Sequence, residues 1–201
     1  MARKPAKPYH HGGLREALAE AGILLIEAEG LSAFTLRECA RRAGVSHAAP
    51  KNHFATAEDL LAEIAARGYD RFVASLGKAA DRAVPQSADA RLIAMGQAYV
   101  AFARAHPGVY GLMFRNMKVR AVASGHLDAA RQAAWTQLHD GVAAVIGPGR
   151  GDAAVKSAHV WALVHGIASL IIDKRLPPPL SAAAVIKESL ASLPAALRSV
   201  G

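Results

Sequence analysis

Apolar residues recur every three or four positions through most of the chain and strict alternation is hard to find, so the pattern predicts an all-α protein of about nine helices. Leu14, Leu18, Ala21 and Leu25 mark one face of a first helix, with Arg15, Glu16, Glu20, Glu27 and Glu29 elsewhere and Gly30 at its end. Thr35 stands three residues ahead of Glu38, the spacing of a capping box, so a second helix starts near Leu36. Leu36, Cys39, Ala40 and Ala43 form its apolar side, and Arg37, Glu38, Arg41 and Arg42 take the other. Gly44 can adopt the left-handed conformation that ends such a helix, with Val45 as the apolar contact closing the turn. Ser46 is then a second N-cap, and the helix it opens is only about two turns long if it ends near Phe54. Pro50 is awkward there, because its missing N–H loses an early hydrogen bond. Residues 46–54 are therefore read either as a slightly unwound helix or as an irregular loop. Two short helices joined by a glycine turn describe a helix-turn-helix, whose second helix enters the DNA major groove.

The rest of the chain reads as longer helices. Thr56, with Asp59 three residues on, opens one that runs through Leu60, Ile64, Tyr69, Phe72 and Leu76 to about residue 82, where Pro85 breaks it. The next, over about 89–105, presents Leu92, Met95, Tyr99 and Phe102, and His106, Pro107 and Gly108 end it. VYGLMFRNM, residues 109–117, is short, aromatic and methionine-rich. A helix carrying Trp135 runs from beyond Gly125 to about residue 146, and the GPGRGD loop follows at 147–152. The penultimate helix spans about 153–174, and after PPP at 177–179 Ser181 opens a last helix to about residue 198. GPGRG lacks the following Lys-Ser or Lys-Thr of a phosphate-binding loop. The organisation expected is a basic flexible arm over 1–11, a helix-turn-helix domain over 12–55 and a larger helical domain over 56–201.

Composition sharpens this picture only in part. With 52% hydrophobic residues among 201, a sizeable core can be buried. The net charge of +8 favours a polyanionic partner. Residues 1–54 hold eight Lys/Arg against five Asp/Glu, so charge does not by itself locate a nucleic-acid site. Arg3, Lys4 and Lys7, extended by Pro5 and Pro8, read equally as an arm that follows a phosphate backbone or as a solvated terminus. The single cysteine, Cys39, excludes an internal disulfide framework and a cysteine-cluster metal site, and is read as core packing. No metal site and no cofactor are expected. The basic N-terminus has no apolar signal region, and the apolar run at 160–172 falls short of the roughly 20 residues of a membrane span, so a soluble, cytoplasmic protein is expected.

LRECARRAGVS at 36–46, the HF at 53–54 and EDLL at 58–61 together resemble the TetR family of bacterial transcriptional regulators. HHGGLREAL and GVSHAAP, together with WALVHG at 161–166, resemble a subgroup with a Trp-x-x-x-His-Gly C-terminal signature, here Trp161, His165 and Gly166. The resemblance implies a helical homodimer whose N-terminal domains bind double-stranded DNA. It also implies a C-terminal domain that takes a small-molecule effector, and last helices that pair with their mates. Base-reading positions then fall on His47, Ala48 and Ala49, and phosphate-binding ones on Thr35, Lys51 and His53. The capping Ser46 sits beside them, and Asn52, one turn on, is in reach of a base edge or a phosphate. The family favours tyrosine where Lys51 stands and lysine where Ala57 stands, so backbone affinity at the start of the long helix is expected to fall partly on its free amides.

Tyr99, Phe102, Tyr110, Met113, Phe114, Trp135, Trp161 and His165 are candidates to line an effector pocket, although aromatic stripes at helical spacing serve equally as core. Ala158, Ala162, Gly166 and Ser169 form a small-residue surface suited either to a dimer seam or to packing within the chain. A helical enzyme is the alternative class, but no nucleophile elbow, HExxH or paired-cysteine motif supports it, and no catalytic residue is nominated. A DNA-coating protein would suit the charge yet has no need of a large apolar C-terminal half. The sequence therefore leads to a sequence-specific, effector-released transcriptional repressor that recognises a palindromic operator as a dimer.

Overall fold

The computed structural model describes residues 11–122, 124–148 and 152–199. The expected basic arm lies almost wholly outside them, as does the centre of the GPGRGD loop. The described residues hold ten α-helical segments and two 3-10 turns: α1 His11–Glu29, a turn at Leu31–Ala33, α2 Leu36–Arg42, a turn at Ala49–Asn52, then α3 Ala57–Asp81, α4 Ala88–Ala105 and α5 Pro107–Arg115. After these come α6 Met117–Arg120, α7 Gly125–Ile146, α8 Ala153–Ile172, α9 Ala182–Ala191 and α10 Leu193–Ser199. No strand occurs among the described residues, as the period of the apolar positions requires.

The long α3 organises the whole. Thr56 Oγ1 accepts the Asp59 N–H at 3.1 Å and Asp59 Oδ2 accepts the Thr56 N–H at 2.9 Å, a complete capping box at the place the sequence put it. From Leu60 to Ala66 every residue is buried, because α1, α4, α5, α6 and α7 all pack around this helix. Its side chains therefore belong at once to the N-terminal unit and to the C-terminal bundle.

At α2 the cap is only half of what the spacing promised. Thr35 Oγ1 accepts the Glu38 N–H at 3.1 Å, but the Glu38 carboxylate turns away from the cap. It accepts Arg41 Nε and Arg42 Nε, both at 2.8 Å, and these guanidinium bonds, Arg41 first, hold its carboxyl down at about 2. Two charged donors compete better for a carboxylate than one backbone amide does. The far end of α2 follows expectation: Gly44 takes φ +70°, the Val45 N–H reaches Ala40 O at 3.0 Å and the Gly44 N–H reaches Arg41 O at 3.2 Å. Cys39 is fully buried, and burial pushes its thiol up to about 11.

Residues 46–54 are neither the α-helix nor the irregular loop of the two sequence readings. Ser46 contributes its carbonyl rather than a hydroxyl cap, accepting the Ala49 N–H at 3.0 Å, and Lys51 N–H to Ala48 O and His53 N–H to Pro50 O continue the i to i−3 pattern. A 3-10 turn suits Pro50, whose absent N–H would leave a longer α-helix with a missing bond. The single helix expected from Ser181 onwards is also divided. It stops at Ala191 and restarts at Leu193, because Pro194 has no N–H and its ring would strike the Leu190 carbonyl in a continuous helix. Leu190 itself packs into the side of α4, where a Cβ on Gly96 would come within 2.8 Å of its Cδ2.

The apolar run 160–172 lies within α8, whose 20 residues include an 18-residue window of mean hydropathy 1.4, so the whole helix is by length and composition alone long and apolar enough to cross a membrane. Its Val160, Val164, Ile167 and Ala168 are buried in the bundle, against α4, α7 and α9, while only 28% of its most apolar window is buried.

The junction of α5 with α1 is tight enough to test. A Cβ on Gly108 would lie 2.6 Å from the Ile26 carbonyl oxygen, whereas a Cβ on Gly111, one turn along the same helix, would meet nothing within 4 Å. Gly108→Ala is expected to cost about 1–3 kcal/mol through forced separation of the two helices, and Gly111→Ala to be neutral or to stabilise by up to about 1 kcal/mol. Urea unfolding of both variants measures this, and equal effects would refute the close approach.

Candidate functional site

The first candidate surface is built by α2 and the turn that follows it. Thr35, Ser46, His47, Ala48, Lys51 and Asn52 are exposed, and Ala49 and His53 are half-buried. Beneath them Pro50 and Phe54 are buried, so the turn is pinned from its inner side while its polar side chains face outward. All eight residues nominated from the sequence lie within one cap and one turn. Ala57, in the first position of α3, adds no cation to them.

What holds this turn was not legible as a motif. The Arg15 guanidinium on α1 lies 4.7 Å from the centre of the Phe54 ring, and Arg15 Nη1 donates to the His53 carbonyl at 3.3 Å. Arg15 Nη2 donates to Glu63 Oε2 on α3 at 2.7 Å, and the other Glu63 oxygen accepts Arg67 Nε at 2.9 Å. His126, at the start of α7, closes the cluster with Nδ1 3.5 Å from Glu63 Oε2 and Nε2 2.9 Å from Asp70 Oδ2. Glu63 is only 4% exposed. Burial pushes its carboxyl up, but the bonds from Arg15 and Arg67 outweigh burial and hold it below the ordinary value.

The second candidate is a cavity of about 420 Å³ inside the C-terminal bundle. Tyr69, Phe72 and Leu76 of α3 form one wall, and Tyr99 of α4 with Met113 and Phe114 of α5 form another. Arg131, Ala134, Trp135 and Leu138 of α7, with Trp161 and Val164 of α8, complete it. Of the residues nominated from the sequence, Tyr99, Met113, Phe114, Trp135 and Trp161 line this space; Phe102, Tyr110 and His165 do not. Phe102, one turn beyond Tyr99, is covered by Phe72 at 5.3 Å between ring centres and by His106 at 4.9 Å. Tyr110 and His165 stack on each other at 5.6 Å, in the layer behind Tyr99.

That layer is a polar knot in an apolar setting. His165 Nδ1 lies 2.9 Å from the Tyr99 hydroxyl and 2.8 Å from that of Tyr110, and the two hydroxyls are 3.2 Å apart. Burial raises both phenols, and burial together with the Arg115 charge lowers His165, which favours the neutral form of all three groups. Arg115 is itself paired with Asp173 at 2.9 Å. Tyr69, Phe72, Leu76 and Arg131 were missed as lining residues. The first three were visible only as the apolar stripe of a long helix, and nothing distinguishes Arg131 from an ordinary surface cation until α6 and α7 are placed.

On α8, Ala158 and Ala162 are exposed and Gly166 and Ser169 half-buried, and a Cβ on Gly166 would meet nothing within 4 Å. Val155 and Leu170 are exposed on the same helix. Close packing within the chain, one of the two readings left open for Gly166, is absent here. Among the described residues no group of three or more His, Cys, Asp and Glu is placed to hold a metal ion.

The fold is an all-α head carrying the capped α2 and the turn after it, joined to a cavity-bearing helical bundle. Residues 92–193 match the family model for the tetracycline repressor-like C-terminal domain, and the chain belongs to the TetR family. Its structure is similar to that of a protein of unknown function from Rhodococcus sp. RHA1, at 34% identity and a TM-score of 0.81, covering 96% of this chain and 100% of that one. The fold is shared with the TetR family transcriptional regulator PfmR from Thermus thermophilus, at 18% identity and a TM-score of 0.63 over 88% of this chain and 96% of that one. It is shared as well with the transcriptional regulator FadR from Bacillus subtilis, solved in complex with stearoyl-CoA, at 12% identity and a TM-score of 0.67 over 89% and 96%. No curated protein matches the chain.

Glu63 provides a pH test of the head-to-bundle junction. A carboxyl held below its ordinary value of 4.5 in the folded state contributes stability that is fully present above that value and lost as pH falls through the lower folded value. Glu63→Gln is therefore expected to cost about 2 kcal/mol at pH 7, a figure already discounted for the half-exposed Arg15, and progressively less below pH 4.5. Unfolding measured from pH 7 to 3 checks this; a penalty that persists unchanged into acid would remove the charge account.

Proposed function

We propose that the protein is a sequence-specific DNA-binding repressor that acts as a homodimer on a pseudo-palindromic operator and is released when a small molecule occupies the C-terminal cavity. It has no enzymatic role in this reading and works in the cytoplasm, away from membranes. The observation that carries the proposal is the turn at 46–53, whose His47, Lys51 and Asn52 point outward from a buried Pro50 and Phe54 at the end of a capped α2. Lys51 and the Thr35 hydroxyl suit phosphate oxygens, His47 and Asn52 suit base edges, and Ala48 and Ala49 suit close approach and a thymine methyl. Few long readers leave a material share of specificity to DNA shape and to the N-terminal arm. Support for a ligand comes from the aromatic cavity and from FadR, which has the same fold and holds stearoyl-CoA. Support for the dimer comes from the exposed Ala158 and Ala162 of α8 and from Gly166, on which a Cβ would meet nothing within 4 Å; Ser169, the fourth residue of that surface, is half-buried and bonded to Tyr110.

Selection of bound fragments from a random duplex library, at low and near-physiological salt, is expected to return one palindromic motif. Binding without a motif that vanishes as salt rises would overturn the reading. Within the selected motif, Lys51→Ala is expected to weaken all sequences alike and reduce the salt slope by about one, whereas His47→Ala and Asn52→Ala change which base is preferred. Equal effects from both kinds of substitution would overturn these roles.

A further inference from the structure

We infer that the cavity ligand is an amphiphile with a single carboxylate head and an apolar body, and that Arg131 receives the carboxylate. The inference rests on the reading of the cavity as the effector site. Arg131 is the one residue with a formal charge among the described lining residues, and the others are aromatic, aliphatic or methionine. Its side chain is 27% exposed, so the guanidinium sits at the wall rather than in free solvent. Its present partners are weak: Nη1 is 3.4 Å from Asp128 Oδ1 and Nη2 is 3.4 Å from the Val119 carbonyl, both at the edge of hydrogen-bonding range. Asp128 is itself 62% exposed, and such a surface i,i+3 pair holds its partner loosely. A guanidinium has five donors in a planar fork, so two long contacts leave it able to take a carboxylate in bidentate fashion.

The other polar side-chain groups of the wall are the indole N–H groups of Trp135 and Trp161 and two phenol hydroxyls, and both hydroxyls already have partners. The Tyr99 hydroxyl is tied to Tyr110 and His165, and the Tyr69 hydroxyl donates to the Met113 carbonyl at 3.2 Å. A ligand with several polar groups would find a single charged donor, two neutral indole N–H groups and otherwise ring faces and methyls. A cation would meet Arg131 with no acidic side chain on the lining to offset it. A volume of about 420 Å³, toward the lower end of ordinary ligand pockets, suits a medium-chain or arylalkyl acid.

The chain's two tryptophans, Trp135 and Trp161, both line the cavity, so intrinsic fluorescence of the full-length protein reports its occupancy. Titration with decanoate, 1-decanol and decylamine compares three heads on one tail. Decanoate is expected to bind about ten-fold tighter than 1-decanol, the margin of one charge-assisted contact, and decylamine weakest. In Arg131→Gln the preference for decanoate over 1-decanol is expected to vanish with 1-decanol unchanged, and Arg131→Lys is expected to keep part of it. Equal binding of decanoate and 1-decanol by the unaltered protein, a preference that survives in Arg131→Gln, or no saturable change with any of the three would each overturn the inference. A protein that selects a palindromic motif but shows no carboxylate preference loses this inference alone. One that binds decanoate through Arg131 yet selects no motif loses the regulator reading and keeps the ligand site.

Discussion

The Glu63 carboxylate is the constraint on which the two halves of the molecule depend. It is buried on α3, receives Arg15 from α1 and Arg67 from its own helix, and lies against His126 from the first turn of α7. A buried anion stripped of these donors would be far more costly than the same carboxylate in water, so α1, α3 and α7 are held in one arrangement. Arg15 extends the constraint to the turn at Ala49–Asn52, through the His53 carbonyl and the Phe54 ring. The turn itself has four residues and could not persist alone; its geometry is imposed by the Glu63 cluster and by the burial of Pro50.

A second carboxylate ties the head to the bundle from the other side. Glu27, near the end of α1, accepts the Gly108 N–H at 3.1 Å and the Val109 N–H at 3.0 Å, satisfying the first turn of α5. The opposite end of that nine-residue helix supplies Met113 and Phe114 to the cavity wall. Under the proposed function, a ligand that displaces Phe114 acts on a short rigid element whose other end is bonded to α1. The knot of Tyr99, Tyr110 and His165 braces the same helix from behind, since Tyr110 belongs to α5. The size of any such coupling is set by the difference in ligand affinity between the two arrangements of the head.

The parts of the fold that were legible in the sequence are those fixed by local chemistry. The capping box at Thr56 and Asp59, the left-handed Gly44 with its Val45 bond and the helical period of α3 and α4 all depend on residues within one or two turns of each other. Pro50 announced a local irregularity whose outcome, a 3-10 turn, depended on its burial, whereas the reading of one continuous last helix passes over the split at Pro194. At the cavity, Tyr99, Phe114 and Trp161 could be nominated because large aromatic side chains attract attention in a sequence. Arg131, Tyr69 and the Arg15–Glu63–His126 cluster could not, since they acquire meaning from partners 48 and 63 positions away or from helices that only folding brings together.

The small recognition surface places a demand on the rest of the proposed regulator. A turn offering His47, Lys51 and Asn52, with alanines between, makes few base contacts, and each mismatched base pair costs such a protein about 1–3 kcal/mol. One head of this kind discriminates weakly among genomic sites. Two heads related by a twofold axis add their free energies, so discrimination that is modest in one half-site is squared in the affinity ratio for two. The separation and angle of the heads then carry as much specificity as the side chains do, because a displaced second head forfeits its whole contribution. Under the proposed function the same arithmetic makes release economical: a ligand would need only to misplace the heads, through α5 and the carboxylates of Glu27 and Glu63, without touching a residue of the proposed DNA surface.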